Sequence, residues 1–302
     1  MSNKLWRPAI EFNLTQHCNL RCEHCDHASS RLPKKFADLE SFRRDVEVVS
    51  TVLEANEFKF VGGEPLLHPQ LLDFVRIAKE SGMGRRLVLL TNGVLLHKAP
   101  DELWDLIDGM WISLYPGIKY RFDWDWVQKL ADEHSIFVWR KDTPEFVESS
   151  LVEEIEDPAF VKMVYANCDR AHLYSCATIF DGRYYVCEPS VWAKDRLALH
   201  GIAFDNQDAD SVAIHDNPNL YDEIDALIRQ EEPLEACRYC LGSWARRTPN
   251  RQLDREGIQT FLTRKPDRLA DLVNEEWIVP SQYTRRAAQT SGLGLGETRG
   301  GK

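Results

Sequence analysis

The chain has 302 residues, 43% of them hydrophobic and 28% charged, and a formal net charge of −11. That balance excludes a nucleic-acid surface as the main function, because such surfaces gather Lys and Arg. No apolar run approaches the roughly 20 residues of a membrane span, and residues 1–14 lack the apolar stretch of a signal peptide, so the expected compartment is a reducing cytoplasm.

Residues 9–15 alternate apolar and polar side chains and predict a strand. Helical spacing over 38–54 is followed by a strand over 57–63 that ends in glycines, and a helix over 71–82 stops at Gly82. Strands over 86–93, 110–116 and 136–142 alternate with helices over 101–108 and 123–135. Repeated strand–helix units of this length predict an α/β fold, a partial (β/α) barrel of five to six parallel strands with right-handed crossovers. Five units are visible and a sixth is not, so a closed eight-stranded barrel is not expected.

The pattern changes near residue 166. Asp181-Gly182 between two apolar runs predicts a β-hairpin. Residues 219–232 read as a helix leading into Cys237-Arg238-Tyr239-Cys240, and 254–277 as helical around Pro266. Residues 281–302 have the composition of a disordered end. Their GLGLG follows no strand and opens no helix, so it lacks the context of a nucleotide loop. The expected domains are a barrel over 1–165, a small cysteine-bearing domain with a hairpin and helices over 166–250, a helical segment over 251–280 and the tail over 281–302. No internal repeats are present.

Eight cysteines fall in two groups, at 18, 22 and 25 and at 168, 176, 187, 237 and 240. In a chain of this length and setting they read as metal or redox sites rather than bridges. Cys18, Cys22 and Cys25 follow the first strand, where a parallel barrel places its active face. Thiolates select zinc or iron. Zinc would need a fourth ligand, which His17, His24 or His27 could supply. A four-iron cluster on three cysteines instead leaves one iron open to chelate the amine and carboxylate of a small molecule.

Cys18-x3-Cys22-x2-Cys25 resembles the signature of the radical S-adenosylmethionine (SAM) enzymes. The resemblance implies a SAM-binding 4Fe–4S cluster whose reduction cleaves SAM to a 5′-deoxyadenosyl radical, which abstracts hydrogen from an unactivated C–H bond. Gly62-Gly63-Glu64-Pro65 resembles the family motif that hydrogen-bonds the SAM amino group. By the same resemblance Thr91, Asn92 and Ser113, at the ends of the third and fourth strands, face the SAM ribose or carboxylate, and His24 lies near the adenine. Arg140 ends the fifth strand, where a charged residue reads as functional. Lys141 is expected on the opposite face by the two-residue period. Residues 27–30 are expected to face the same pocket, with Trp139 and Trp192 among the side chains available to a polar substrate.

Four thiolates with one C-x2-C pair suit a closed cluster or a zinc site. Cys168-x13-Gly182-x4-Cys187 with Cys237-x2-Cys240 resembles the twitch (SPASM-like) domain of radical SAM enzymes. It implies an auxiliary 4Fe–4S cluster on Cys168, Cys187, Cys237 and Cys240, with Cys176 the competitor for the first position. Otherwise Cys176 is either a small buried hydrophobe or a hydrogen-atom donor to a substrate radical.

The layout is similar to aminocyclitol and aminosugar dehydrogenases and epimerases of this family. The expected reaction is epimerisation of a carbinol carbon with Cys176 as hydrogen donor. The alternatives are oxidation of an alcohol to a ketone through the auxiliary cluster, peptide maturation, and a non-catalytic zinc-binding interaction protein. The peptide reading is weaker because no leader-binding domain fits ahead of the first strand, and the zinc reading leaves GGEP unexplained. The expected partners are an aminosugar, aminocyclitol or nucleoside substrate and a flavodoxin- or ferredoxin-type electron donor, with no nucleic acid and no membrane.

Overall fold

A computed structural model describes residues 4–173, 177–265 and 267–273. Strand β1 (Leu5–Thr15) is buried along both faces over its C-terminal half, the environment of a central strand in a mainly parallel sheet. Asp38 caps α1 (Leu39–Val52) by accepting from Ser41 N at 2.8 Å, and β2 (Leu53–Gly62) begins at the next residue. Then come α2 (Leu71–Ser81), ended by left-handed Gly82, and β3 (Gly84–Thr91). Helix α3 (Asp101–Leu106) leads to β4 (Gly109–Leu114), and α4 (Trp124–His134) to β5 (Phe137–Asp142).

A short strand β6 (Glu145–Val147) precedes helices α5 (Pro158–Ala166) and α6 (Asp169–His172). The predicted hairpin is present as β7 (Ala177–Phe180) and β8 (Arg183–Tyr185), turning at Asp181-Gly182 with both residues at positive φ. It is followed by α7 (Glu188–Val191), α8 (Ala193–Ala198), α9 (Gln207–Asp210), β9 (Ser211–Ala213) and α10 (Leu220–Arg229). The chain closes with β10 (Arg247–Pro249), α11 (Arg255–Thr263) and α12 (Leu269–Leu272). Pro266 and residues 274–302, with the expected tail, lie outside the described residues, as does Cys176.

The main sheet runs β5-β4-β3-β2-β1-β7-β8-β9. Strands β1 to β5 and β7 are parallel, and β8 and β9 are antiparallel additions. The architecture is a partial barrel, and its sixth parallel strand is the first arm of the hairpin, paired to β1 from Ile10 to Phe12. Only four residues long and without a following crossover helix, β7 offers no strand–helix unit to read. The sheet is therefore continuous across residue 165, the expected domain boundary. A second sheet pairs β10 with β6 and returns the C-terminal region to the end of the barrel.

On the outer face Ile10, Phe12, Leu14, Phe58, Phe60, Leu89 and Ile112 belong to one apolar core with Phe42 of α1 and Phe74 of α2. Phe12 meets Phe42 of α1 at 4.3 Å between ring centroids. The inner face carries Glu11, Asn13, Lys59 and Thr178, all buried. Among the described residues no helix is long and apolar enough to cross a membrane.

Strands β2 and β3 approach closely at Gly84, where an added Cβ would lie 2.5 Å from Phe58 Cβ and 2.8 Å from its backbone nitrogen. Gly84→Ala is expected to destabilise the protein by about 1–3 kcal/mol, the range for overpacking. Thermal melts of the two proteins check this, and an unchanged Tm overturns it.

Candidate active site

The three-cysteine loop leaves β1 at Thr15 and is laced onto the end of β2. Gly63 N donates to Thr15 O at 2.6 Å and Glu64 N to His17 O at 2.9 Å. A Cβ on Gly63 would sit 2.4 Å from His17 O, and Gly62 has φ +124°, a conformation open to glycine. These glycines admit the loop backbone.

The thiols draw N–H donors from distant parts of the chain. Cys18 Sγ accepts from Leu20 N at 3.4 Å and Asn92 Nδ2 at 3.6 Å, and Cys22 Sγ from Gln252 Nε2 at 3.1 Å. Burial, together with the neighbouring cysteines, pushes the Cys18 thiol up to about 12 and Cys22 to about 11. For Cys25 burial also raises the pKa, but His27, the Ser29 backbone and Arg31 together outweigh it and the net shift is downward. Three soft donors that field one another, two already holding N–H groups, fit an iron–sulfur cluster.

Glu64 is fully buried. Its carboxylate accepts from Thr91 Oγ1 at 2.7 Å, Asn92 N at 2.8 Å and Leu66 N at 3.1 Å. Burial raises its pKa to about 7 against those bonds. Asn92 in turn donates to Asn19 Oδ1 at 2.7 Å. The expected site residues Glu64, Thr91 and Asn92 are thus brought together, and their side chains are engaged with one another and with the cysteine loop. Ser113 lies on the inner face beside Tyr115, whose hydroxyl it contacts. His24 is half-buried between Glu23 and Glu148, edge-on to Phe261 at 5.6 Å. A cleft of about 110 Å³ opens beside His24 and Cys25, walled by residues 147–155 and by Arg31, Arg196 and Phe261.

The fifth strand reverses the expected facing of its charges. Arg140 pairs in register with the core residue Ile112, and its guanidinium turns outward to Asp142 at 3.1 Å and over Trp124. Lys141 pairs with Ser113 on the inner face, and its charge acts on Glu11. Which residue faces inward depends on the strand's phase, and one residue of phase exchanges the two faces.

Glu188 was not expected. It accepts from Asn13 Nδ2 at 3.0 Å, Thr178 Oγ1 at 2.8 Å and Trp192 Nε1 at 2.6 Å, and His27 Nε2 approaches it at 3.2 Å. Of residues 27–30, His27 therefore reaches the inner face, whereas Ser29 Oγ turns to Gln16. In register with each other, Glu11, Lys59 and Thr178 line the same face. Lys59 lies over the Trp111 ring at 4.4 Å, and Trp111 packs against Trp139. The only sequence signal for Glu11 and Lys59 was a charge at an alternating strand position.

Cys168, Cys187, Cys237 and Cys240 line one cleft together with Arg170 and Gly242. A Cβ on Gly242 would lie 2.7 Å from Cys168 Sγ, and Gly242 N donates to Cys240 Sγ at 3.3 Å. Arg170, just after Cys168, pairs at 2.8 Å with Asp26, just after Cys25. Among the described residues no three His, Cys, Asp or Glu side chains are set to hold a single metal ion.

Comparison with known proteins gives a family for the first half. The sequence model of the Radical SAM superfamily matches residues 12–120, from β1 to the loop after β4. The GTP 3′,8-cyclase of Chlorobaculum tepidum is 32% identical over 106 residues, 35% of this chain and 32% of the relative. An S-adenosylmethionine-dependent nucleotide dehydratase of Flammeovirga pacifica is 33% identical over 98 residues, 30% of this chain and 32% of the relative. The chain thus spans about a third of the length of the curated relatives it matches. Among solved structures, BtrN in complex with AdoMet and 2-DOIA covers 80% of this chain and 95% of its own, at TM-score 0.49 and 16% identity.

The matched residues 12–120 hold the cysteine loop and the GGEP turn. The cofactors of the matched family are SAM and a 4Fe–4S cluster.

Burial raises the Glu11 carboxyl from 4.5 to about 7, opposed by Lys59 and augmented by Glu188. The folded protein then binds more protons than the unfolded chain between these values, so this group's stabilisation is present below the lower value and is lost as pH rises through the upper. Glu11→Gln is expected to remove that decline. Thermal melts across this window check it, and parallel curves for the two proteins overturn it.

Proposed function

We propose that this protein is a radical SAM enzyme that abstracts a hydrogen atom from a C–H bond of a polar small molecule, of the aminosugar, aminocyclitol or nucleoside class. In this reading Cys18, Cys22 and Cys25 hold the SAM cluster, and reduction of bound SAM supplies the 5′-deoxyadenosyl radical. The observation that carries it is the loop's position, at the C-terminal end of β1 above an inner face whose buried groups are polar: Glu11, Asn13, Lys59, Thr178 and Glu188. Buried polar groups cost free energy unless partnered, and a face that offers carboxylates and an ammonium suits hydroxyls and amines. Glu64, Thr91 and Asn92 fix the loop, and the cleft beside His24 suits the adenine end of SAM.

Cys168, Cys187, Cys237 and Cys240 are proposed to hold the auxiliary 4Fe–4S cluster, in a small domain that follows the barrel. For the outcome, Cys176 returns a hydrogen atom to the opposite face of the substrate radical, inverting a carbinol carbon. Oxidation to a ketone is the second reading, favoured by Glu11, a buried carboxyl that titrates near neutrality and suits acceptance of a hydroxyl proton. A flavodoxin- or ferredoxin-type donor supplies the electron.

Anaerobically reconstituted protein is expected to hold two four-iron clusters and to release 5′-deoxyadenosine with dithionite and SAM. Iron for one cluster or less, or no 5′-deoxyadenosine, overturns the reading. Turnover of candidate aminocyclitols in deuterated water separates the outcomes. Epimerisation incorporates one solvent deuterium at the inverted carbon and is lost in Cys176→Ala, whereas a ketone from an active Cys176→Ala protein favours the second reading.

A further inference from the structure

The cysteine loop is closed by the far end of the chain. Residues 250–253 run antiparallel to 21–23: Glu23 N donates to Arg251 O at 3.0 Å, and Leu253 N to Arg21 O at 2.8 Å. Between these bonds the Gln252 carboxamide is held on three sides. Its Oε1 accepts from Arg21 N at 2.8 Å, which turns Nε2 toward Cys22 Sγ at 3.1 Å and Asn250 Oδ1 at 3.2 Å. The orientation of the amide follows from that network, because a backbone N–H requires the oxygen.

Helix α11 continues the closure. Arg31 and Arg264 lie on the Phe261 ring, each at 4.6 Å, and Arg264 reaches Glu23 at 3.6 Å and Glu148 at 2.8 Å. No side chain of α11 is fully buried, so no apolar core explains why this segment lies here. Its contacts include the loop, through Phe261 against Arg31 and His24, and Glu148 through Arg264.

We propose that Gln252 is a positioning residue for the SAM-binding cluster, holding the Cys22 sulfur through an amide N–H···S hydrogen bond and raising the cluster's reduction potential. The inference rests on the reading of Cys22 as a cluster ligand. One-electron reduction adds a negative charge that the cysteine sulfurs share. A donor aimed at one of those sulfurs binds the reduced form more strongly than the oxidised form, and hydrogen bonds to sulfur are among the levers that set such potentials. Cys22 is buried, so water cannot replace a lost amide donor at full strength. Because SAM cleavage draws on the reduced cluster, the same bond sets how much of it a weak reductant delivers.

The test uses the full chain, reconstituted anaerobically, as wild type, Gln252→Leu and Gln252→Lys. The readouts are iron content and an EPR-monitored redox titration of the signal that changes on adding SAM. The other cluster's signal serves as an internal reference. Gln252→Leu is expected to load the same iron and to show about a tenfold lower ratio of reduced to oxidised cluster at a fixed potential, a shift of about −59 mV for one electron. Gln252→Lys keeps a donor and adds positive charge, so its midpoint is expected above that of the Leu variant. Equal midpoints in all three fully loaded proteins, or the opposite order, overturn the inference. If Gln252→Leu loses iron, a Gln252→Lys midpoint below wild type overturns it and one at or above wild type supports it. A wild type without any SAM-sensitive signal overturns the cluster reading itself.

Discussion

Gly63 has room for a hydrogen atom and nothing larger, because His17 O occupies the place of a side chain. That backbone contact brings the second strand against the cysteine loop and carries the adjoining Glu64 into the interior. From there the carboxylate reaches Thr91 and the Asn92 backbone at the end of the third strand, and Asn92 returns to Asn19 and Cys18. Three consecutive strand ends thus fix one loop through a closed circuit of hydrogen bonds. A set of buried polar groups of this kind is stable only when every member is satisfied, so the circuit stands or falls together.

The interior carries more charge than packing alone requires. Glu11, Lys59, Glu188 and Arg196 are all buried, and the Asp26–Arg170 pair is largely so. A buried ion pair offers little net stability over apolar residues of the same size, whereas removal of one partner is costly. These side chains therefore add little to the free energy of the fold while each is costly to strip of its partner. Arg170 is an example. Its guanidinium binds the carboxylate next to Cys25 while lining the cleft of the other four thiols, so the two cysteine groups keep a fixed relation.

The sequence pattern made the first five parallel strands legible because a helix separates each from the next and the first four have an apolar outer face. The cysteine spacing and GGEP were equally legible, since they are local. What was not legible depends on long-range pairing. Strand β7 is too short to announce itself and joins the sheet beside β1, at the far end of the chain order. The inward choice between Arg140 and Lys141 turns on a single residue of phase. Glu188 looks like a helix-starting acid until the fold brings Asn13, Thr178 and Trp192 to it.

Gln252 is the clearest case of a residue whose meaning exists only in three dimensions. In the sequence it is one polar residue in a polar stretch after the last cysteine pair. In the fold β10 returns the chain beside β6, at the end of the barrel, and the next residues pass along the cysteine loop. The barrel supplies the loop's inner support through Gly63 and Asn92, and the C-terminal segment supplies its outer support through Gln252 and Phe261. A loop held from both sides keeps its three sulfurs in a fixed relation, with the Cys18 and Cys22 sulfurs each meeting an amide N–H from one of the two supports.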